Sequence, residues 1–342
     1  MPDKLIIGGD VVPRGKSVRL EIPVSQLATG TPVAMPVQVI RSRKPGPVVF
    51  VSAAIHGDEL NGVEIIRRLI TSFTTKAKIS SGTLILVPMV NVFGVHTQTR
   101  YTPDRRDLNR TFPGSETGSL AGRLAHTFMR EIVDQSDYGI DLHTGAIHRS
   151  NLPQIRANLK DEETRNLAEA LGVPVILNSE LRDGSLRQIA ADQGTRILLY
   201  EAGEALRFDE LSIRAGVRGV QNVLAELGMM RKRSRRHAPE PFAANRSYWL
   251  RAPESGIVRD LKHLGDWVDK GEALAEIGDP YGDVKAILVA TKGGIVIGQQ
   301  NIPLVQEGDA MFHIATFDEE DSAGVTDSIE LMQDTLLDPP TV

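Results

Sequence analysis

Apolar residues along the first two thirds of the chain alternate between a strand pattern and a helix pattern. Residues 46–55 read GPVVFVSAAI, a continuous and largely β-branched apolar run that is typical of a strand buried on both faces of a sheet. In the segment that follows, apolar residues recur at helical spacing: Val63, Ile66, Leu69 and Ile70. The pattern therefore predicts a strand, a tight turn and a helix, with Asp58 as the helix cap.

The same alternation continues toward the middle of the chain. Further strands are predicted at residues 83–91, 138–143 and 196–203, and further helices at residues 120–133 and 161–171. Strands that alternate with helices indicate an α/β fold, in which a mixed, largely parallel sheet carries helices on both faces. Residues 93–118 are rich in Arg, Asp, Pro and Gly and lack a clear period, so we expect a long functional loop there.

Two segments near the C-terminus resemble each other. Residues 268–277 (VDKGEALAEI) match residues 305–314 (VQEGDAMFHI), and a Gly-Ile-Val precedes each copy. Two such halves predict a small all-β domain, and the segment resembles the biotinyl/lipoyl-type barrel-sandwich. Neither Lys285 nor Lys292 lies in a convincing carrier-lysine motif. We therefore expect an unmodified structural or assembly domain, which could mediate contacts in a homo-oligomer.

Shifts in composition indicate the domain boundaries. Residues 229–241 (MMRKRSRRHAPEP) form a basic run with two prolines, which is typical of a solvated connector in a chain of net charge −5. We expect a catalytic domain with N-terminal strands at 1–228, a linker at 229–244, the barrel-sandwich at 245–316 and a frayed acidic tail at 317–342.

The composition narrows the function classes. The chain of 342 residues contains no cysteine, so disulfides, thiolate metal ligands and a cysteine nucleophile are excluded. The mild acidity offers no general footprint for nucleic acid. No stretch approaches the roughly 20 apolar residues that span a bilayer. A soluble cytoplasmic protein with a small-molecule substrate is the expectation.

Histidines and carboxylates at strand ends carry the candidate chemistry. His56 and Glu59 lie three residues apart, where the first buried strand gives way to a helix. Asp141 and His143 are two apart at the end of another strand, so they face the same side. Ligands bind at the carboxyl ends of strands in open α/β sheets. His56, Glu59 and His143 are therefore predicted to bind one Zn²⁺ ion with an open fourth position, an arrangement typical of catalytic sites.

Three motifs, HGDE, DLNRTFPG and DLHTG, occur in this order and resemble the succinylglutamate desuccinylase/aspartoacylase family of the zinc carboxypeptidase superfamily. The likeness covers residues 47–203, and the C-terminal barrel-sandwich is also typical of members. The resemblance implies a zinc carboxypeptidase-like fold and the same three zinc ligands. It also implies that Asp107 partners a zinc histidine and that Asn109 and Arg110 hold the substrate. The planar guanidinium of Arg110 suits a substrate carboxylate or a developing oxyanion.

A general base is expected at Glu201, which ends a predicted buried strand in the sequence LLYEAGE. The family has its catalytic glutamate in such a Glu-X-Gly setting. Glu204 is the alternative, although it lies beyond Gly203 in the following turn.

The substrate pocket departs from the aspartoacylase pattern. An additional arginine of aspartoacylase ahead of the DLNR motif corresponds to Thr102 here, so recognition of an aspartate side chain is not expected. Arg149 and Arg156, which follow the zinc histidine, are candidates to line the pocket instead. The alternative is that both are solvent-exposed loop arginines.

Taken together, these features predict a zinc-dependent hydrolase of a linear amide bond in a small N-acyl amino acid or N-acyl amine. Two alternatives stay open: a zinc carboxypeptidase that acts on short peptides, and a non-catalytic zinc-binding protein. A second domain that crowds the cleft would favour small substrates over peptides.

Overall fold

A computed structural model describes residues 4–179, 183–232 and 239–337. The first strands are β1 Leu5–Ile7, β2 Asp10–Val12, β3 Lys16–Gln26, β4 Pro32–Arg41, β5 Val48–Ala53, β6 Thr83–Val87, β7 Tyr138–Gly145, β8 Arg149–Ala157, β9 Val175–Asn178 and β10 Arg196–Glu204. The helices among and after them are α1 Asn61–Thr75, α2 Val92–Thr97, α3 Leu120–Glu131, α4 Glu162–Leu171, α5 Leu186–Asp192 and α6 Glu210–Glu226. The C-terminal part contains β11 Phe242–Ala244, β12 Arg246–Arg251, β13 Gly256–Asp260, β14 Trp267–Val268, β15 Ala273–Gly278, β16 Val284–Val289, β17 Gly294–Gln300, β18 Leu304–Val305, β19 Ala310–Thr316 and the helix α7 Ser322–Leu337.

One mixed sheet runs through the molecule in the order β12-β19-β17-β8-β10-β7-β5-β6-β4-β3. Its centre is parallel, because β10, β7, β5 and β6 all run in one direction, and antiparallel strands extend it on both sides. Helices α1, α4, α6 and α7 pack on one face, and α3 and α5 pack on the other. The predicted α/β class with helices on both faces is therefore confirmed.

The continuous apolar run of β5 has a direct packing explanation. Val49, Val51 and Ala53 belong to the core on one face of the sheet, whereas Val48 and Phe50 belong to the core on the other. A strand that is buried on both sides does not alternate between apolar and solvent-facing polar positions, as the sequence indicated.

The cap of α1 differs from the prediction. The helix begins at Asn61, and its N-cap is Leu60, which makes no side-chain capping bond. Residues 56–59 form a turn closed by the Glu59 N–H and the His56 carbonyl at 3.2 Å. Because of this turn, the helix begins later than predicted, and the prediction that Asp58 caps it is wrong.

The C-terminal β domain has two layers. Strands β12, β14, β17 and β19 extend the large sheet, and β16-β15-β13-β18 form a separate antiparallel sheet of four strands. The two layers enclose a core of their own, which includes Leu250, Leu274 and Ile314. An all-β C-terminal domain was expected, but its continuity with the catalytic sheet through the β17–β8 pairing was not.

The connector between the two parts is partly structured. Phe242–Ala244, which fall within the expected linker, form β11 and pair in parallel with β9. Most of the basic run, residues 233–238, lies outside the described residues. The domain limits and association through the C-terminal domain stay predictions.

The expected frayed acidic tail is wrong for most of its length. Ser322–Leu337 form α7, which buries Val325, Ile329 and Met332 in the main core. These three positions share one helix face, a pattern that the acidic composition of the segment concealed. No described helix is both long and apolar enough to cross a membrane.

The docking of α7 leads to a stability prediction. Ile329 is 2% exposed and Leu331 is 37% exposed on the same helix. We expect Ile329→Ala to lower the free energy of unfolding by about 2–5 kcal/mol, because it opens a cavity in the core. Leu331→Ala should change it by less than about 0.5 kcal/mol. Urea unfolding followed by circular dichroism measures both, and equal stabilities of the two variants would contradict the packing of this helix.

Candidate active site

The carboxyl ends of the parallel neighbours β5 and β7 lie side by side and carry the candidate site. Beyond β5, Ala54 has a φ of 54°, an uncommon conformation for a residue with a Cβ. Gly57 follows, and a Cβ at this position would lie 2.0 Å from the backbone carbon of Gly94. This tightly packed turn directs His56 and Glu59 toward the end of β7.

The three predicted ligands meet at one point. His56, Glu59 and His143 each offer one ligand atom, and these atoms lie within 4.8 Å of one another. The Nδ1 atoms of His56 and His143 lie 2.7 Å from Oε1 and Oε2 of Glu59, respectively. Two imidazole nitrogens and one carboxylate are donors that suit Zn²⁺, and three protein ligands leave a position open. The donor set therefore fits a catalytic metal ion.

The second nitrogen of each imidazole has its own carboxylate. His56 Nε2 lies 3.1 Å from Asp107 Oδ1, and His143 Nε2 lies 2.8 Å from Asp141 Oδ2. The Ser52 hydroxyl donates to the other oxygen of Asp141 at 2.8 Å. Such partners fix the orientation and tautomer of a metal-binding imidazole. The contact expected for Asp107 is present, and Asp141 makes the equivalent contact, which its two-residue spacing from His143 could have indicated.

The electrostatics of the group follow from its burial and its charges. Burial by itself would lower the pKa of His56 and His143, but the adjacent carboxylates outweigh it and raise the pKa of both imidazoles. Burial likewise opposes ionisation of Glu59 and Asp107, yet the two imidazoles hold the pKa of the Glu59 carboxyl, and His56 with Arg100 the pKa of the Asp107 carboxyl, well below the usual range. Negative charge is thus maintained where a divalent cation would sit.

Arg100 joins this group without having been predicted. Its guanidinium lies 3.3 Å from Glu59 Oε1 and 3.0 Å from Asp107 Oδ2. The Thr102 hydroxyl instead bonds to Asp104 and to the carbonyl of Arg106. Arg100, two positions before Thr102, therefore contacts the site. It lies in an irregular loop, where the spacing of residues does not indicate which side chains face the site.

Glu201 lies next to the histidine pair, because it is the register partner of His143 across β10 and β7. Asn151 donates to Glu201 Oε2 at 2.7 Å, and Arg156 Nε lies 3.1 Å from Oε1. The carboxylate of Glu204 is engaged elsewhere: it accepts the His148 N–H at 3.0 Å. The geometry therefore favours Glu201 over Glu204 as the residue that faces the site.

A cavity of about 360 Å³ opens from these residues. Besides the three candidate ligands, it is lined by the other side chains expected there: Asn109, Arg110, Arg149, Arg156 and Glu201. Arg149 and Arg156 are therefore strand residues of β8 at the cavity, whereas the sequence left open that they were exposed loop residues.

The wall around the DLNR segment is held by backbone contacts. The Leu186 N–H donates to Asn109 Oδ1 at 3.0 Å, which ties this side chain to the start of α5. Arg110 Nη1 donates to the Asn109 carbonyl at 2.6 Å. Arg187, on α5, also lines the cavity and was not predicted.

The C-terminal domain also contributes residues to the lining of the cavity. Trp249 and Arg251 of β12 line the cavity. The Trp249 ring stacks on His313 at 4.5 Å, and the Arg149 guanidinium lies 5.5 Å from the centroid of the same ring. Burial, with a contribution from Arg156, lowers the pKa of His313 to about 3, so this stacked imidazole is neutral. No sequence motif indicated that these distant residues meet the site.

Comparisons with known proteins agree with this geometry. Residues 45–227 match the model of the succinylglutamate desuccinylase/aspartoacylase catalytic domain. An N-alpha-acetyl-L-2,4-diaminobutyric acid deacetylase from Halomonas elongata is 28% identical over 311 residues, which are 86% of this chain and 90% of the relative. The crystal structure of a succinylglutamate desuccinylase/aspartoacylase from Rhodobacter sphaeroides is similar, with a TM-score of 0.75, 25% identity and coverage of 88% of this chain and 95% of that one.

A second solved structure shows the same fold. It is the product-bound ectoine utilization protein EutE (DoeB) from Ruegeria pomeroyi, with a TM-score of 0.79 and 22% identity. The similarity covers 90% of this chain and 97% of that chain, so it extends over the C-terminal β domain as well.

The donor set leads to a prediction about metal content. His143→Ala removes one of three ligands and should abolish stoichiometric zinc binding, whereas Asp141→Asn should weaken the affinity about 10- to 100-fold by releasing the ring. His148→Ala is the matched control, because this imidazole is 52% exposed. Elemental analysis after dialysis and competition with a zinc chelator give the values. Full zinc occupancy in His143→Ala would refute the assignment.

Proposed function

Because the chain belongs to the succinylglutamate desuccinylase/aspartoacylase family, we propose that it is a zinc-dependent hydrolase that deacylates a small N-acyl amino acid or N-acyl amine. Relatives named as a deacetylase and a desuccinylase support an amidohydrolase. The observation that carries the proposal is the buried group of His56, Glu59 and His143 beside the Glu201 carboxylate in one cavity.

His56, Glu59 and His143 would hold the zinc ion, with Asp107 and Asp141 orienting the two imidazoles. The chemistry that bound zinc supplies is polarisation of the amide carbonyl and acidification of a water molecule. Arg100 neutralises part of the carboxylate charge around the group. The chain thereby provides a buried site in which the imidazoles are held in one orientation.

Glu201 would act as the general base and then as the general acid. It accepts a proton from the attacking water as the water oxygen bonds to the carbonyl carbon. It then delivers this proton to the amide nitrogen, the C–N bond breaks, and a carboxylic acid and an amine leave. Arg110 lines the same cavity, and its guanidinium suits the oxygen that becomes negative during the attack.

The cavity favours small substrates. Trp249 and Arg251 of the C-terminal domain belong to the lining of the cavity, and a second domain at the site supports deacylation of small substrates over removal of residues from longer peptides. Several guanidinium groups, including those of Arg149 and Arg187, line the cavity and suit a substrate with carboxylate groups.

A hydrolysis screen of the zinc-loaded protein tests the proposal. The panel contains N-acetyl, N-succinyl and longer N-acyl amino acids, N-acetyl-2,4-diaminobutyrate and short peptides. We expect release of amine from at least one N-acyl amino acid and little cleavage of peptides. Preferential peptide cleavage would favour a carboxypeptidase, and zinc binding without any turnover would favour a binding protein.

A substitution separates the chemistry from metal binding. Glu201→Gln should lower kcat by about 10²–10⁴-fold, because the amide of glutamine cannot accept the proton. Zinc content should stay unchanged, since Glu201 is not a ligand in the proposed set. Glu204→Gln is the matched control and should retain kcat, because its carboxylate contacts His148 and Asn301 outside the cavity lining. A fully active Glu201→Gln protein would contradict the mechanism.

A further inference from the structure

Two side chains of β8 hold the Glu201 carboxylate, and the mechanism described above leaves both without a role. Asn151 Nδ2 donates to Oε2 at 2.7 Å, and Arg156 Nη2 donates to the same oxygen at 3.3 Å. Arg156 Nε lies 3.1 Å from Oε1. The side chains of Arg156 and Glu201 are only 20% and 18% exposed, so this contact lies largely away from bulk water.

The sheet register places these donors on either side of Glu201. In the antiparallel pair β8–β10, Arg156 lies opposite Leu199 and Asn151 lies opposite Gly203. The register shifts between Glu201 and Gly203, which re-aims side chains locally, as bulges do. The position of the carboxylate is therefore set by the ladder of the sheet and not by a loop.

We propose that Asn151 and Arg156 are positioning residues that fix the Glu201 carboxylate for proton transfer, so that Arg156 serves the base and not the substrate. The inference rests on the proposed function of Glu201. A glutamate side chain has several rotatable bonds, and anchoring it before substrate binds removes the entropy cost of ordering it during the reaction.

The contacts also distinguish the two carboxylate oxygens. Oε2 accepts from both Asn151 and Arg156, whereas Oε1 faces only the Nε atom of Arg156 in the described structure. The oxygen with fewer donors is the one available to take the proton from water. Oε2 then keeps the side chain in place throughout the cycle.

Arg149 provides a contrast on the same strand. Its guanidinium lies over the Trp249 ring at the cavity wall, and not at the Glu201 carboxylate. A substrate-binding arginine should act mainly on KM, whereas a residue that orients the base should act mainly on kcat. Substitutions of Arg149 and Arg156 should therefore distinguish substrate binding from positioning of the base.

The test measures kcat, KM, zinc content and thermal unfolding for Arg156→Gln, Arg156→Lys and Asn151→Ala on the best substrate from the screen. We expect Arg156→Gln and Asn151→Ala to lower kcat about 10- to 100-fold with KM changed by less than about 3-fold, since misplacement of a reacting group by about 1 Å costs that much. Arg156→Lys should recover part of the loss, because an ammonium group can still contact the carboxylate. Zinc content should not change.

Arg196→Gln is the matched control. It removes an arginine at the start of β10, the strand that carries Glu201, where the guanidinium lies 2.9 Å from Asp161 and 3.1 Å from Glu163, away from the cavity. Its kcat and KM should match those of the unmodified protein. Loss of activity in this control, at the level of Arg156→Gln, would show a general effect on the sheet and would overturn the inference.

A double-mutant cycle with Glu201→Gln completes the test. If Arg156 acts through Glu201, adding Arg156→Gln to Glu201→Gln should cause little further loss of kcat. An additional loss of full size, or a rise in KM with kcat unchanged, would overturn the positioning role. A fully active Glu201→Gln protein would instead refute Glu201 as the base, and the absence of turnover in the screen would refute the proposed function, so these failures are distinguishable.

Discussion

The site depends on one constraint: the Glu59 carboxylate is 2% exposed and must have compensating partners. Two imidazoles, one guanidinium and the Thr144 N–H at 3.2 Å surround it. The imidazoles in turn need acceptors for their second nitrogens, which Asp107 and Asp141 provide. Parallel pairing of β5 with β7 brings these groups together, because the carboxyl ends of adjacent parallel strands lie at the same edge.

Much of this arrangement could be predicted from the sequence, because it depends on local spacing. His56 and Glu59 share one turn, and Asp141 and His143 lie two residues apart on the same face of one strand. Periodicity therefore places each pair without knowledge of the remaining chain. The apolar runs identified the central strands as buried, whereas the order of these strands comes from their pairing in the structure. Glu201 was predicted from its place in a buried strand together with the family's Glu-X-Gly setting, and the pairing of β10 with β7 places it beside His143. Glu204, which was expected in the following turn, is instead the last residue of β10.

The rest depends on contacts between distant segments. Arg100 reaches the site from an irregular loop whose spacing carries no period. Three residues of β8 line the cavity: Arg149, Asn151 and Arg156. The residues that face the cavity are odd-numbered before Pro153 and even-numbered after it. This strand therefore lacks the regular alternation by which a sequence indicates a strand. Trp249 lies more than a hundred residues beyond His143 in the sequence, and its domain is brought to the cavity by the pairing of β17 with β8 and of β11 with β9.

This pairing makes the C-terminal domain part of the active site. A row of register partners crosses the sheet from Gly203 through Asn151, Gly298 and His313 to Trp249. At its centre, a Cβ on Gly298 would lie 3.0 Å from Asn151 Oδ1 and 3.1 Å from His313 Cβ, so the absence of a side chain permits both neighbours their positions. Asn151, which donates to the Glu201 carboxylate, and Trp249, which lines the cavity, therefore both lie close to Gly298 of β17. Because the large sheet runs through both domains, separating them would disturb the proposed base and the cavity lining together.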